Sequence, residues 1–158
     1  MQLEKQIPKN RFAVDFVAYD KAGKPILFGE TRSMKASPEA TQQLMAYLDA
    51  SRSKIPFAML ADPDQINLYR KDADRPAELV WSSRSADVLS RYDPEFGNTR
   101  IFARYLRALI EAWLRDLAYQ WKSETPPAQD EIAAIGLLER LEGGTTRSEV
   151  WLAGNTLS

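Results

Sequence analysis

The sequence predicts an α/β fold, a mixed β-sheet flanked by helices with a helical C-terminal half. Three observations lead there: a hairpin signal near the start, a capped helix followed by short apolar strand runs, and a long amphipathic stretch filling the second half. At 158 residues the chain reads as one domain, large enough to bury its own core, with residues 11–82 carrying the hairpin, helix and strands and 83–158 the helical portion.

Residues 11–20, RFAVDFVAYD, and 25–32, PILFGETR, are rich in β-branched and aromatic residues, and KAGK between them is a tight-turn signal. A loop of two residues or of four sets Asp15 against Glu30, Ala13 against Arg32, Val17 against Phe28 and Tyr19 against Ile26. Side chains alternate with period 2, so these share one face, and Phe12, Val14, Phe16, Ala18, Leu27, Gly29 and Thr31 share the other. Ser37 is an N-cap with Pro38 at the first helical position and Glu39 near the positive helix end, which predicts a helix to about Ser51. Its inward face is Ala40, Gln43, Leu44, Tyr47 and Leu48.

IPFAML at 55–60 and INLYR at 66–70 read as strands around the turn ADPDQ, and AELVWS at 77–82 as a third. After SADVLSRY and the turn DPEFGN, residues 100–122 form a long helix with the stripe Phe102, Leu106, Leu109, Trp113 and Leu117, extended by Ile110, Leu114 and Trp121. TPP at 125–127 ends it. Residues 128–142 read as another helix closed by Gly143 and Gly144, and RSEVWL as a last strand.

Composition excludes several chemistries. With no Cys there are no disulfides or thiolate metal sites, and with no His there is no imidazole base, triad or zinc ligand. Catalysis must use carboxylates, Lys, Tyr or hydroxyls, and a metal must be hard and oxygen-bound. The N-terminal MQLEKQIPKN lacks a signal-peptide core and no run is long enough to span a membrane, so a soluble, cytoplasmic protein is expected. A formal charge of −1 gives no global attraction to nucleic acid; Arg52 with Lys54, Arg70 with Lys71, and Arg100, Arg104 and Arg107 are the local basic clusters, each also readable as a solvated face. Trp113, Tyr119 and Trp121 fall on or near the apolar stripe and are assigned to the core rather than to base stacking.

The paired carboxylates raise the functional question. Side by side in a sheet, Asp15 and Glu30 repel and are costly to desolvate. A cation from the protein, a shared proton or a divalent metal would offset that cost. Arg32, two residues along from Glu30, makes a purely structural salt-bridged cluster one reading; Mg²⁺ held by the two acids with waters and phosphate oxygens is the other.

An Asp in the first hairpin strand, Glu30-Thr31-Arg32 in the second, and Gln43-Leu44-Met45-Ala46-Tyr47 on the next helix resemble the PD-(D/E)xK nuclease superfamily. The pattern looks most like the N-terminal nuclease domain of type I restriction subunits and the RecB-like branch. IPFAMLADPDQINLYR is similar to the next two strands of that branch, so the likeness covers about residues 11–70. It implies a restriction-endonuclease-like sheet and a Mg²⁺- or Mn²⁺-dependent nuclease acting on nucleic acid, DNA ahead of RNA. On that likeness Asp15 and Glu30 are metal ligands, and Gln43 and Tyr47 support the site or touch the nucleic acid. The sequence departs from the family in two places. Arg32 stands where the family has Lys, and a guanidinium is a poor general base, so Lys35 in the following loop is the candidate amine. Only ten residues, with Glu4 their sole acid, precede the hairpin, where the family usually has an acid-bearing helix. The alternatives are a catalytically inactive nuclease-fold module that binds nucleic acid or protein, as a homodimer or beside a helicase or restriction partner, and a structural protein whose pattern is accidental.

Overall fold

The structure, a computed structural model, describes residues 11–50 and 54–153. Glu4, Ser51 and Arg52 lie outside the described residues. Among the described residues six strands form one mixed sheet in the order β5-β4-β3-β2-β1-β6. These are β1 (Arg11–Tyr19), β2 (Pro25–Thr31), β3 (Phe57–Ala61), β4 (Gln65–Arg70), β5 (Glu78–Arg84) and β6 (Thr145–Ala153). The helices are α1 (Pro38–Ala50), α2 (Ser85–Leu89), α3 (Ala103–Tyr119), α4 (Gln129–Ala134) and α5 (Leu138–Leu141). Because α1 carries the chain back across the sheet, β3 runs parallel to β2, and every other pairing is antiparallel.

The hairpin register is the expected one through its middle, with Phe16 facing Gly29, Val17 facing Phe28 and Ala18 facing Leu27. It departs at both ends. The connecting loop is 20–24, folded around Asp20, whose Oδ1 accepts the Ala22 and Lys24 amides (both 2.9 Å). The ladder slips between Ala18 and Tyr19, so Tyr19 faces Pro25 rather than Ile26. At the other end β1 is parted from β2 before Phe16, and neither the expected Asp15–Glu30 pairing nor the Ala13–Arg32 pairing forms. Val14 accordingly packs in the α1 layer and Ile26 in the α3 layer, each opposite to the side that simple alternation assigns. The Phe16 ring lies over Gly29, where a Cβ would overlap it; this is the close approach that requires a glycine.

Each face of the sheet has its own core. One helix, α1, covers the first with Ala40, Leu44, Tyr47 and Leu48 against Val17, Phe28, Ala58 and Leu60. Its start is as read, with Ser37 Oγ accepting the Ala40 amide at 3.1 Å. Gln43, expected inward, is exposed. On the opposite face α3 lays Leu106, Ile110, Trp113, Leu114 and Leu117 on Phe16, Phe57, Met59 and Leu68. Burying such side chains contributes about 1.5–3 kcal/mol apiece, so these two layers carry the fold.

The long helix is shorter than its apolar pattern. It stops where Gln120 turns left-handed (φ 53°), its amide donating to the Asp116 carbonyl at 2.7 Å, and Phe102 and Trp121, at the ends of the expected stripe, are 62% and 50% exposed. Residues 128–142 form two short helices rather than one, because Gly136 takes φ 85° between them. The C-terminal portion is also not wholly helical: its last strand, read from RSEVWL, pairs with β1 along its length. Buried Glu111 of α3 fastens β6 by accepting the Thr146 and Ser148 hydroxyls (2.8 and 2.6 Å), with Arg107 and Arg115 each at 3.8 Å. No helix among the described residues is long and apolar enough to cross a membrane.

Candidate metal and nucleic-acid site

The carboxyl ends of the parallel strands β2 and β3 lie side by side, and in open α/β sheets this is where ligands bind. Arg32 continues the pairing past β2, its amide donating to the Ala61 carbonyl at 2.9 Å. Glu30 lies at this end of β2, and Arg32 and Lys35 follow directly after it.

Asp15 is half-buried where β1 parts from β2. Its Oδ2 accepts the Thr31 amide at 2.7 Å and the Thr31 hydroxyl at 3.3 Å, so a carboxylate oxygen replaces the carbonyl that a continued ladder would have supplied. Across the sheet at this level, Glu149 of β6 has φ 55°, and the β1–β6 ladder skips the Asp15–Glu149 position. Asp15 and Glu149 share a cavity of about 230 Å³ with Trp151.

Glu30, one residue before Thr31, has a side chain only 20% exposed and an ion pair from Arg32 Nη2 to Oε1 at 3.0 Å. Burial pushes its carboxyl above the usual range, the Arg32 guanidinium pulls it back, and the negative charge of Asp15 raises it further; the net direction is upward. Asp15 bonds the amide of Thr31, the residue next to Glu30, although no ladder pair joins the two acids.

Arg32, Lys35 and Gln43 line one open cavity of about 410 Å³ with Ser33, Ser37 and Glu39, over the start of α1. Asp15 and Glu30 do not line it; the Arg32–Glu30 ion pair connects the two. Tyr47 is buried beneath, its ring edge-on to Phe28 at 5.2 Å, so it supports α1 from within the core.

Three contributors were not singled out from the sequence. Thr31 is the partner of Asp15, and its hydroxyl also reaches the Ala103 carbonyl of α3 at 3.4 Å. Asp62, 5% exposed at the end of β3, accepts the Ala36 amide at 2.8 Å on Oδ2 and those of Asp64 and Gln65 (2.7 and 2.9 Å) on Oδ1. It thereby fixes the loop that carries Lys35. Its side chain bonding its own turn was a visible signal in ADPDQ, whereas the bond to Ala36 was not. Glu149 carried no signal.

The basic clusters resolve differently. Arg70 lies among Asp72 (3.7 Å), Glu78 (3.9 Å) and the Ile135 carbonyl, Lys71 is held by the Asp72 and Arg75 carbonyls, and Arg107 by Glu111 and Glu149. Arg100 and Arg104 are exposed and make no ion pair with a described residue.

As donors, Asp15 and Glu30 offer hard oxygens of the kind Mg²⁺ and Mn²⁺ take. No group of three acidic, His or Cys side chains suited to a metal occurs among the described residues. An ion here would rest on two carboxylates, a number that suits Mg²⁺ with waters and phosphate oxygens completing its shell. Comparison with family models, with curated proteins and with solved structures finds no match to the chain.

Proposed function

We propose that the chain is a Mg²⁺- or Mn²⁺-dependent nuclease that hydrolyses phosphodiester bonds, with DNA as its substrate ahead of RNA. The observation that supports this reading is that Asp15, by accepting the Thr31 amide at 2.7 Å, is bonded to the residue next to Glu30 at the end of β2. The hairpin, helix and strand pair follow one another in the order on which the resemblance to PD-(D/E)xK nucleases rests.

Asp15 and Glu30 would hold the ion. When bound, it supplies charge to stabilise a phosphoryl group and lowers the pKa of a coordinated water. Arg32, paired with Glu30 and lining the adjoining cavity, would position a phosphate oxygen through its forked donors. Lys35, in the cavity that Arg32 also lines, is the amine that would act on the attacking water, its loop held in place by Asp62. Gln43 meets the nucleic-acid backbone from the exposed side of α1, and Tyr47 holds that helix against Phe28.

The test is cleavage of single- and double-stranded DNA and of RNA with Mg²⁺ or Mn²⁺. Asp15→Ala and Glu30→Ala should abolish it while far-UV circular dichroism stays unchanged. Lys35→Ala should slow it by about 100-fold, the lower end of what general-base loss costs. If no nucleic acid is cut with either metal, the reading fails.

One observation favours a second reading, a non-catalytic module that binds nucleic acid or a protein partner, including a second copy. Arg32 already satisfies Glu30 at 3.0 Å, as a structural cation would. Calorimetry decides between them: Mg²⁺ binding that disappears in Asp15→Ala supports the nuclease, and its absence from the intact chain supports the module.

A further inference from the structure

Phe102, expected in the buried stripe, is 62% exposed, and Tyr105 is 44% exposed. Phe102 is the extended residue that precedes α3 and Tyr105 lies in the first turn of that helix, so both stand at the same end of it. Tyr105 is anchored, its hydroxyl donating to Asp93 Oδ2 at 2.8 Å, while the other oxygen of Asp93 accepts the Glu95 amide. The Arg100 guanidinium lies over the Phe102 ring at 5.4 Å, and Arg104 sits between the two aromatics in sequence. Glu95 is the exposed acid nearby and accepts the Asn98 side-chain amide at 3.3 Å. Two exposed rings with two cations that make no ion pair with a described residue combine sequence-tolerant stacking with phosphate attraction, the chemistry that single-stranded nucleic acid meets on its binding proteins. The patch also adjoins the acids: Ala103, between Phe102 and Arg104, accepts the Thr31 hydroxyl that in turn binds Asp15.

We infer that Phe102 and Tyr105, flanked by Arg100 and Arg104, form a stacking surface for single-stranded nucleic acid that leads a strand toward Asp15 and Glu30. The leading role rests on the nuclease reading; the binding itself does not. Two other exposed aromatics, Tyr119 at the far end of the helix and Trp121 just beyond it, lie away from this patch, and the Trp121 indole is tied back to the Ala112 carbonyl at 2.9 Å.

The experiment is fluorescence anisotropy of labelled oligo(dT) and of a duplex of equal length, with EDTA present so that no metal-dependent cleavage intervenes. The single strand should bind more tightly. Phe102→Ala should weaken it by about 10-fold, within the loss expected for one stacked base, and Phe102→Trp should restore it. Arg104→Glu should weaken binding and flatten its salt dependence. Phe102 is exposed, so its truncation leaves the core intact. Wild-type affinity in Phe102→Ala, or a duplex bound as tightly as the single strand, overturns the inference. So does absence of strand binding together with a dimer that Phe102→Ala converts to monomer in sedimentation, which would give the patch to a second copy. Because EDTA removes catalysis, failure here leaves the cleavage test of Asp15 and Glu30 standing by itself.

Discussion

Glu30 is pushed two ways, and the balance has a sign that can be measured. Burial and Asp15 raise its carboxyl pKa against the pull of Arg32, so in the folded protein it binds a proton more readily than the ordinary value of 4.5 allows. A carboxyl raised on folding adds stability that is complete below its unfolded pKa and lost as pH rises through the folded one. Glu30→Gln fixes the neutral state. Its melting temperature should equal or exceed that of the parent at pH 7, and the gap should close as pH falls below the usual glutamate range; a variant less stable at pH 7 would mean that the Arg32 ion pair outweighs desolvation. Gly29 is constrained by contact instead of charge. A Cβ there overlaps the Phe16 ring, so Gly29→Ala should cost about 1–3 kcal/mol in urea denaturation, the range for overpacked cores. Phe16→Leu in the same chain should recover part of it, since the two positions face each other across the hairpin.

At the scale of elements, the segment between β2 and α1 decides whether the candidate site has a shape. Residues 32–37 belong to no helix or strand, yet they hold Arg32 and Lys35. Their order comes from outside: Ser37 caps α1, and Asp62, at the end of the neighbouring parallel strand, takes the Ala36 amide. Asp62 uses both oxygens, one for this loop and one for the β3–β4 turn, and is itself buried. Asp62→Ala leaves three amides without their acceptor and should cost about 3 kcal/mol in urea denaturation. Asp62→Asn has one acceptor oxygen to share between loop and turn and should fall between the two. Limited proteolysis should then cut within 32–37 first. An Asn variant as stable and as resistant as the parent would show that the carboxylate does not order this loop.

For the molecule as a whole, what was legible in the sequence was local. The central hairpin register followed from alternation and the start of α1 from Ser37-Pro38, because each is decided within a few residues. What stayed hidden depends on contacts between distant segments: the splaying of β1 at Asp15, the bond from Asp62 to Ala36, and the seat of β6 beside β1, secured by Glu111. The apolar stripe of α3 was readable, but Phe102 and Trp121 were misassigned, since periodicity does not say where a helix outruns the surface it covers. The same distinction bears on how the two cores cooperate. One lies under α1 and the other under α3, and they meet only through a shared sheet whose strands contribute alternate residues to each. Trp81 and Trp113, with rings 5.7 Å apart, belong entirely to the α3 side, so their fluorescence reports on a layer that Leu44 of α1 does not touch. Leu44→Ala removes a side chain 2% exposed and should cost about 3 kcal/mol, or about 10 °C in melting temperature for a chain of this size. If strands β1 to β4 bind both layers into one unit, far-UV circular dichroism and tryptophan fluorescence must shift together and keep a common midpoint. A fluorescence transition that stays at the parental temperature while the dichroism moves would mean that the α3 layer holds its sheet without α1. In that event the loop carrying Arg32 and Lys35 would open while most of the molecule remained folded.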